Sequence, residues 1–438
     1  MHIAVIGGGI AGLAVAWLLS RQHTVTLFER HAQPGFIAHS VTVDGVRVDV
    51  PLRVFYPGYY PTLTRLYAEL GVATEPVSYA TTFTGGDGRA FFRWRNLRVG
   101  GLSWPYVLPH DMASPRARRI VHGALRFHRQ ARAALARGEL AVRSIGDFID
   151  AEKLPADYVN GLLLPALATI ATCTTADARR YPADVVAGYV AAGLSRQSVR
   201  RAVHGADDAA ARLLAGITRV VCDAGVTGLR ASAAPDRGVT VLRHGGVQEH
   251  FDHAVLATQA NQALALWQDA PAADAQALAA FHYRPLDVVM HRDTRLMPQR
   301  RADWSPVNAR VCPDHDRPES TIWVNAVQPA LRRARPLFQT VHPQRQPRED
   351  LVLSRAHFER PLVDAGSQRA LATLQSLQAQ PGRRAWLCGS YAEAGVPLLE
   401  SAVRSAYEVA GRLAGLSELT AGSVAAGTLA ASVPAAST

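Results

Sequence analysis

An α/β fold, with a discontinuous dinucleotide-binding sheet and an inserted α+β domain, is predicted by three features of this 438-residue sequence. A glycine-rich strand, turn and helix open the chain, a buried strand ending in small residues recurs at Phe251 to Thr258, and another follows at Arg384 to Gly389. With 48% hydrophobic and 19% charged residues, the composition is that of a folded globular protein. At ~100–200 residues per domain, the length calls for more than one unit.

The opening unit carries the most chemistry. His2 to Ile6 is a short buried strand, followed by Gly7-Gly8-Gly9-Ile10-Ala11-Gly12 and an apolar helix to about Arg21. Gly7 permits the tight turn, Gly9 lets a pyrophosphate approach the backbone, and Gly12 allows helix and strand to pack closely. Ile10 and Ala11 open the helix, whose free N–H groups and partial positive charge suit phosphate. A second strand, Thr24 to Phe28, ends at Glu29. A carboxylate there hydrogen-bonds the adenosine ribose and disfavours a 2′-phosphate. NAD and FAD both use this unit, so the rest of the chain has to choose between them.

Beyond Glu29, Thr42 to Phe55 alternates as strands around Asp44-Gly45, and Pro61 to Gly71 reads as a helix. From Tyr79 to Arg201 the pattern is helical with proline breaks, with helix-forming stretches at Arg116 to Arg137 and Ile145 to Ile170. Strands are expected at Val226 to Arg230, Gly238 to Arg243 and Val247 to Thr258, the last returning to the first sheet. Further strands fall near Leu286 to His291 and Thr321 to Asn325, and a helix from about Glu400 to Leu413 closes the fold. The expected division is 1–78, 205–262 and 380–415 for the dinucleotide domain, and 79–204 and 263–379 for the substrate domain. Residues 416–438, mostly Ala, Ser, Thr and Gly, read as a disordered tail.

The apolar run Ile3 to Leu19 is interrupted by four glycines, unlike a membrane span. It lacks a basic flank and a cleavage pattern, so a cytoplasmic protein is expected. Cys173, Cys222, Cys312 and Cys388 are far apart and show no metal-ligand spacing; they read as small buried hydrophobes, with no metal site. The net charge of +11 is carried by arginine, Lys153 being the only lysine. No nucleic-acid partner is expected from it. The segment with Arg116, Arg118, Arg119, Arg126, Arg129, Arg132 and Arg137 reads as a solvated helix face, the alternative being a peripheral membrane or carrier contact.

Several segments beyond the glycine loop are distinctive: Val48-Asp49 leading to Val54-Phe55, Tyr60 to Gly71, His291 to Trp304, Trp323-Val-Asn325 with Gln328, and Trp386 to Tyr391. Together they resemble the flavin amine-oxidase superfamily. Within it, the sequence is similar to bacterial FAD-dependent oxidoreductases associated with cyclopropane-fatty-acid-synthase-like enzymes. The resemblance spans about Met1 to Leu413. It implies a Rossmann-like FAD-binding domain of the amine-oxidase and glutathione-reductase type, with FAD as cofactor.

By that resemblance Glu29 holds the ribose, Gly7 to Gly12 the pyrophosphate, Val226 the adenine through its backbone, and Gly35 is a further cofactor-binding position. Gly389 and Ser390 lie along the ribityl-pyrophosphate chain, Leu398, Leu399 and Glu400 approach the flavin ring, and Arg53 and Val54 pass beside it. The sequence departs from the pattern at Gly35-Phe36, Pro51, Gly205-Ala206 and Glu400-Ser401, where a side chain replaces an expected glycine.

A flavin accepts hydride or electrons itself, so the protein has to position a C–H bond and exclude water. Many members of the superfamily place a lysine near the flavin; Lys153 does not match that motif. Arg53 is the candidate catalytic residue, stabilising reduced flavin or gripping a carboxylate. His291, Arg292 and Asp293 either reach the site or form a hydrogen-bonded loop. Tyr283, Trp304 and Trp323 either wall the pocket or pack the core, and Gly161 to Ile170 either lines an aliphatic cavity or does the same. The expected function is an FAD-dependent oxidoreductase removing hydride from a hydrophobic, acyl-chain or polyene substrate. A redox-neutral flavin-dependent isomerase and a flavin-fold scaffold without turnover are the alternatives.

Overall fold

The computed structural model describes residues 1–99, 102–191, 198–231 and 238–415. The expected tail lies outside the described residues.

The first sheet is built from β1 (His2–Ile6), β2 (Thr24–Phe28), β3 (Arg219–Val221), β4 (His253–Leu256) and β5 (Ala385–Leu387). Their order is β3-β2-β1-β4-β5, all parallel. Layers cover both faces, so the central strands are apolar throughout rather than alternating: Ile3, Ala4 and Val5 are all 0% exposed. On one face lie α1 (Ile10–Ser20), α2 (Pro61–Glu69) and α3 (Leu399–Ala414), sharing a core of Leu13, Leu63, Val403 and Ala406. On the other, the antiparallel strands Val226–Ala231, Val239–Arg243 and Gln248–Phe251 pack Leu229, Val241 and Phe251 against Phe28 and Leu256.

The second sheet has eight strands, in the order Val352–Pro361, Tyr283–His291, Phe338–Val341, Glu319–Trp323, Val307–Arg310, Thr81–Thr84, Ala90–Val99 and Leu102–Tyr106. Only the pairing of Val307–Arg310 with Thr81–Thr84 is parallel. Helices between Pro115 and Ala191 cover one end of it, packing Ile120, Phe127, Phe148 and Leu167 against Phe83 and Phe92.

Two expectations need correction. The stretch from Tyr79 is not helical at its start: Thr81 to Tyr106 forms three strands. Phe83, Phe92 and Trp94 face the helical core, and such aromatic residues fit a pleated, half-buried surface. The helix expected from Ile145 to Ile170 is broken into Ile145–Ala151, Ala156–Tyr158, a wide turn at Val159–Leu163, and Leu164–Ala171. Lys153 takes a positive φ of 49° at the first break, and Pro155 bars a regular helix there.

The two sheets are joined through the segment after the hairpin Val41–Val48. Gln339 donates to Asp49 O at 3.1 Å and accepts from Leu52 N at 2.7 Å. Gln328 donates to Arg47 O at 2.8 Å, and the Asp49 carboxylate accepts from Ala206 N at 3.0 Å. These bonds fix where the chain enters Arg53 and the tyrosines that follow.

Candidate functional site

The glycine loop has the shape its sequence requires. Gly7 takes a φ of +108°, and a Cβ at Gly12 would fall 1.8 Å from Gly7 O, so the first turn of α1 lies directly on the strand end. At Gly9 the opposite holds: no atom lies within 4 Å of an added Cβ. Gly9 caps α1, no side chain caps the helix N-terminus, and its first turn holds no acidic residue. Ile10 and Ala11 therefore present the positive end of the helix to open space, which suits a phosphate.

Glu29 closes the far side of this loop. Its carboxylate is 5% exposed and accepts from Gly8 N at 2.7 Å, His31 N at 2.9 Å and Gly35 N at 3.1 Å. A carboxylate has about four acceptor positions, so one remains for a hydroxyl donor. A Cβ at Gly8 would fall 2.8 Å from Glu29 Oε2, which makes Gly8 part of the device. Gly8, within the run expected along the pyrophosphate, thus also seats the acid that closes the loop. Phe36 N donates to Gly8 O at 3.0 Å, tying the following loop to the site.

Arg53 is partly buried, with its guanidinium over the Phe36 ring at 4.3 Å and hydrogen-bonded to Phe36 O and to Pro51 O. Burial pulls its pKa below the usual arginine value. Nearby His39 packs against Phe358 and His31, with ring centroids 4.8 and 5.8 Å away. Burial, then the charges of His31, Arg30 and Arg53, hold it below the ordinary histidine value. His39 was not among the expected site residues.

After Val54 comes an aromatic cluster. Tyr59 meets Tyr189 at 4.6 Å, Tyr56 meets Tyr60 at 5.6 Å, and Tyr59 meets Tyr60 at 5.5 Å. Tyr59 Oη accepts from Val396 N at 2.9 Å, which places the cluster between the loop leading into α3 and the cap helix Ala183–Ala191. Burial pushes all four phenols up, and Tyr79 beside them to about 12, so they are neutral donors. The run Phe55-Tyr-Pro-Gly-Tyr-Tyr-Pro61 was the available signal for it.

The end of β5 lies beside the start of α1, with Cys388 Sγ 3.9 Å from Ala11 O. Gly389 N donates to Ser405 Oγ at 3.0 Å, and Ser390 lines a cavity of about 50 Å³ with Tyr391, Gly395 and Pro361. Leu398 and Leu399 open α3. The Glu400 side chain turns away from the loop toward α2, accepting from Thr62 N and Leu63 N. Val226 begins its strand opposite Arg243, next to an irregularity in register.

The remaining candidates are engaged elsewhere. His291 is buried against Thr340, Arg292 pairs with Asp44 at 3.1 Å, and Asp293 pairs with Arg295 at 2.5 Å. The Trp304 and Trp323 rings meet edge to face at 5.5 Å, with the Arg301 guanidinium over Trp304, while Tyr283 Oη accepts from Ala260 N at 2.7 Å. Leu163, Leu164 and Leu167 are packed in the helical core. Lys153 is exposed on the cap helices. Of the arginine-rich helix, Arg116 and Arg119 pair with Asp157, and Arg137 pairs with Glu139 at 2.5 Å. All four cysteines are free, Cys222 and Cys312 only partly buried. Among the described residues no helix is long and apolar enough to cross a membrane.

Residues 5–70 match the family described as NAD(P)-binding Rossmann-like domain. No curated protein matches this sequence significantly. Among solved structures, putrescine oxidase bound to putrescine is similar over 95% of this chain and 99% of its own, with a TM-score of 0.67 at 14% identity. Cyclohexylamine oxidase from Brevibacterium oxydans is similar over 95% and 99%, with a TM-score of 0.65 at 14% identity. A CLA-producing fatty acid isomerase from P. acnes is similar over 94% and 98%, with a TM-score of 0.63 at 15% identity. A glycine loop closed by Glu29, a five-stranded parallel sheet and an inserted α+β domain thus give this chain the fold of the flavin amine oxidases.

Proposed function

We propose that this chain binds FAD and is an oxidoreductase that removes hydride from a hydrophobic, acyl-chain or polyene substrate. The observation that carries the reading is the cradle formed by the open Gly9, the uncapped start of α1 and the spare acceptor position on Glu29. Gly7 to Gly12 would hold the diphosphate and Glu29 the ribose. Arg53 ties the Phe36 loop to its own segment through Phe36 O and Pro51 O and supplies positive charge there. When bound, a flavin supplies the two-electron acceptor. The chain's own residues orient and desolvate the substrate, with Tyr56, Tyr59, Tyr60 and Tyr189 forming an apolar wall of neutral phenols.

A redox-neutral isomerisation is the second reading. It is favoured by the position of Lys153, exposed on the cap, which leaves no lysine for the tyrosine-walled space, and by the likeness to a fatty acid isomerase.

The test is the visible spectrum of the purified protein, with anaerobic reduction and release of the cofactor by denaturation. A yellow protein that bleaches on reduction and releases FAD is expected. A colourless protein that takes up no added FAD overturns the reading and favours a scaffold without turnover. Product mass separates the two enzymatic readings, two hydrogens lighter for oxidation and unchanged for isomerisation.

A further inference from the structure

Between Asp87 and Glu139 the chain holds eleven arginines and one acidic residue, Asp111, so nearly all of the net charge of +11 is concentrated in this stretch. It folds as the outermost hairpin of the eight-stranded sheet, Ala90–Val99 and Leu102–Tyr106, and the helix Pro115–Ala136 that follows. Thr81–Thr84 pairs with Ala90 to Trp94, whereas Arg95 to Val99 pairs only with Leu102–Tyr106. About 16 Å of two-stranded ribbon therefore has no further strand on either side.

One face of this ribbon is apolar. Leu97 stands opposite Trp104, Val99 is two residues beyond Leu97, and Tyr106 is two beyond Trp104, so the pleat brings all four to the same face. They are 53%, 57%, 37% and 41% exposed in that order: Leu97, Val99, Trp104, Tyr106. Single exposed hydrophobic residues are ordinary, but a contiguous set marks a surface that something covers.

The base of the ribbon is tied to the arginine-rich helix. Arg93 donates to Asp111 at 2.6 Å, just before that helix, and the Arg116 guanidinium lies over the Phe91 ring at 3.7 Å. The helix buries Ile120, Phe127, Ala131 and Ala134 and leaves Leu125, Arg129 and Arg132 exposed on the opposite side. Arg129 and Arg132 make no hydrogen bond or ion pair among the described residues.

A bilayer with anionic headgroups fits these features better than a second protein surface. Trp and Tyr favour the headgroup level, Leu and Val the acyl boundary beneath it, and arginines beside them are attracted to the lipid phosphates. A second copy would have to meet about 20–30 residues a side, far more than the ribbon face offers. Pro105 also makes the outer strand a poor edge for strand addition. The strand's free backbone groups hold any insertion to the interface, because hydrocarbon gives them no partner.

We propose that the ribbon face of Leu97, Val99, Trp104 and Tyr106 seats this protein on an anionic phospholipid surface, with Arg129 and Arg132 of the neighbouring helix supplying electrostatic attraction. The contact is peripheral and does not depend on the flavin reading.

The test is co-sedimentation of the full chain with unilamellar vesicles, of phosphatidylcholine alone and of phosphatidylcholine with one quarter phosphatidylglycerol. The anionic vesicles should bind about tenfold or more tightly, and added salt should weaken that binding. Leu97→Ser with Trp104→Ser should lower the affinity by about tenfold or more, and Arg129→Gln with Arg132→Gln by about tenfold. Trp104→Phe should keep the binding and lose most of the fluorescence quenching that acyl-brominated phosphatidylglycerol produces in the wild type. Circular-dichroism melts establish that each variant is folded. No sedimentation with anionic vesicles, equal affinity for neutral and anionic vesicles, or undiminished binding by either folded double variant overturns the proposal. Undiminished quenching in Trp104→Phe overturns it as well, as does a DNA duplex bound in place of the vesicles. A dimer at sedimentation equilibrium that Leu97→Ser with Trp104→Ser dissociates would assign the face to a second copy instead.

Discussion

The Glu400 carboxylate accepts the backbone N–H of Leu63 at 2.9 Å, so the first turn of the last helix caps the start of a helix more than three hundred residues earlier. Thr62 N donates to the same carboxylate at 3.1 Å. α2 needs this partner because its own cap residue, Tyr60, contributes no side-chain bond. The contact also anchors the end of the tyrosine run.

Glu400→Ala is therefore expected to lower stability by about 1–3 kcal/mol, the cost of losing a cap and stranding two donors, one buried and one partly so. Glu400→Gln should cost less, since an amide oxygen still accepts. Urea-unfolding midpoints check both; unchanged midpoints would show that the cap carries no weight.

Gly9→Ala and Gly12→Ala should fail differently. Nothing meets a Cβ at Gly9, so that variant keeps its melting temperature and loses dinucleotide binding. At Gly12 the Cβ would lie 1.8 Å from Gly7 O, and overpacking of that kind costs about 1–3 kcal/mol or more. Thermal melts and cofactor content, measured side by side, separate the two effects.

Acid should destabilise the fold through its buried histidines. His291 is 0% exposed; its Nε2 lies 2.7 Å from Thr340 Oγ1, and Nδ1 accepts from Asp293 N. Burial holds it at about 4, against an ordinary value of 6.5. The folded state favours the neutral ring, so stability is full above the ordinary value and falls as pH drops toward 4, by up to about 3 kcal/mol. His342, also pushed down to about 4 by burial, adds to the same slope. Denaturant titrations between pH 7 and pH 4 should show the loss (a window set by these values), and His291→Gln should flatten it.

Lys153→Met should leave turnover within about twofold, since the side chain is exposed on the cap helices. Steady-state kinetics on whichever substrate the protein accepts checks this. A large loss of activity would place the lysine in the chemistry after all.

The first thirty residues were legible because their constraints are local. Gly7 needs a positive φ, Gly12 has no room for a Cβ, and β2 ends on an acid, each of which can be read from order and spacing. The expected strands at Val226 to Arg243 and Arg384 to Gly389, and the helices at Pro61 and Glu400, coincide with observed elements, whereas the strand expected from Val247 to Thr258 is two, Gln248–Phe251 in the antiparallel sheet and His253–Leu256 in the first. The strands from Thr81 to Tyr106 were not legible: Phe91-Phe92-Arg93-Trp94 shows no clean alternation, and the strands hold their place by pairing with Val307–Arg310, over two hundred residues away.

By itself the sequence determined the fold class, the glycine loop and the acid that closes it, because backbone conformation and strand periodicity are properties of neighbouring residues. Only the tertiary structure decided what the long-range side chains do. The Glu400 carboxylate caps α2, the tyrosines of the Tyr56 to Tyr60 run converge with Tyr189, and Arg284 pairs with Asp177, over a hundred residues earlier in the chain. A side chain's partner depends on which distant backbone the packing brings within about 3 Å, and that distance is set by the whole core rather than by any local pattern.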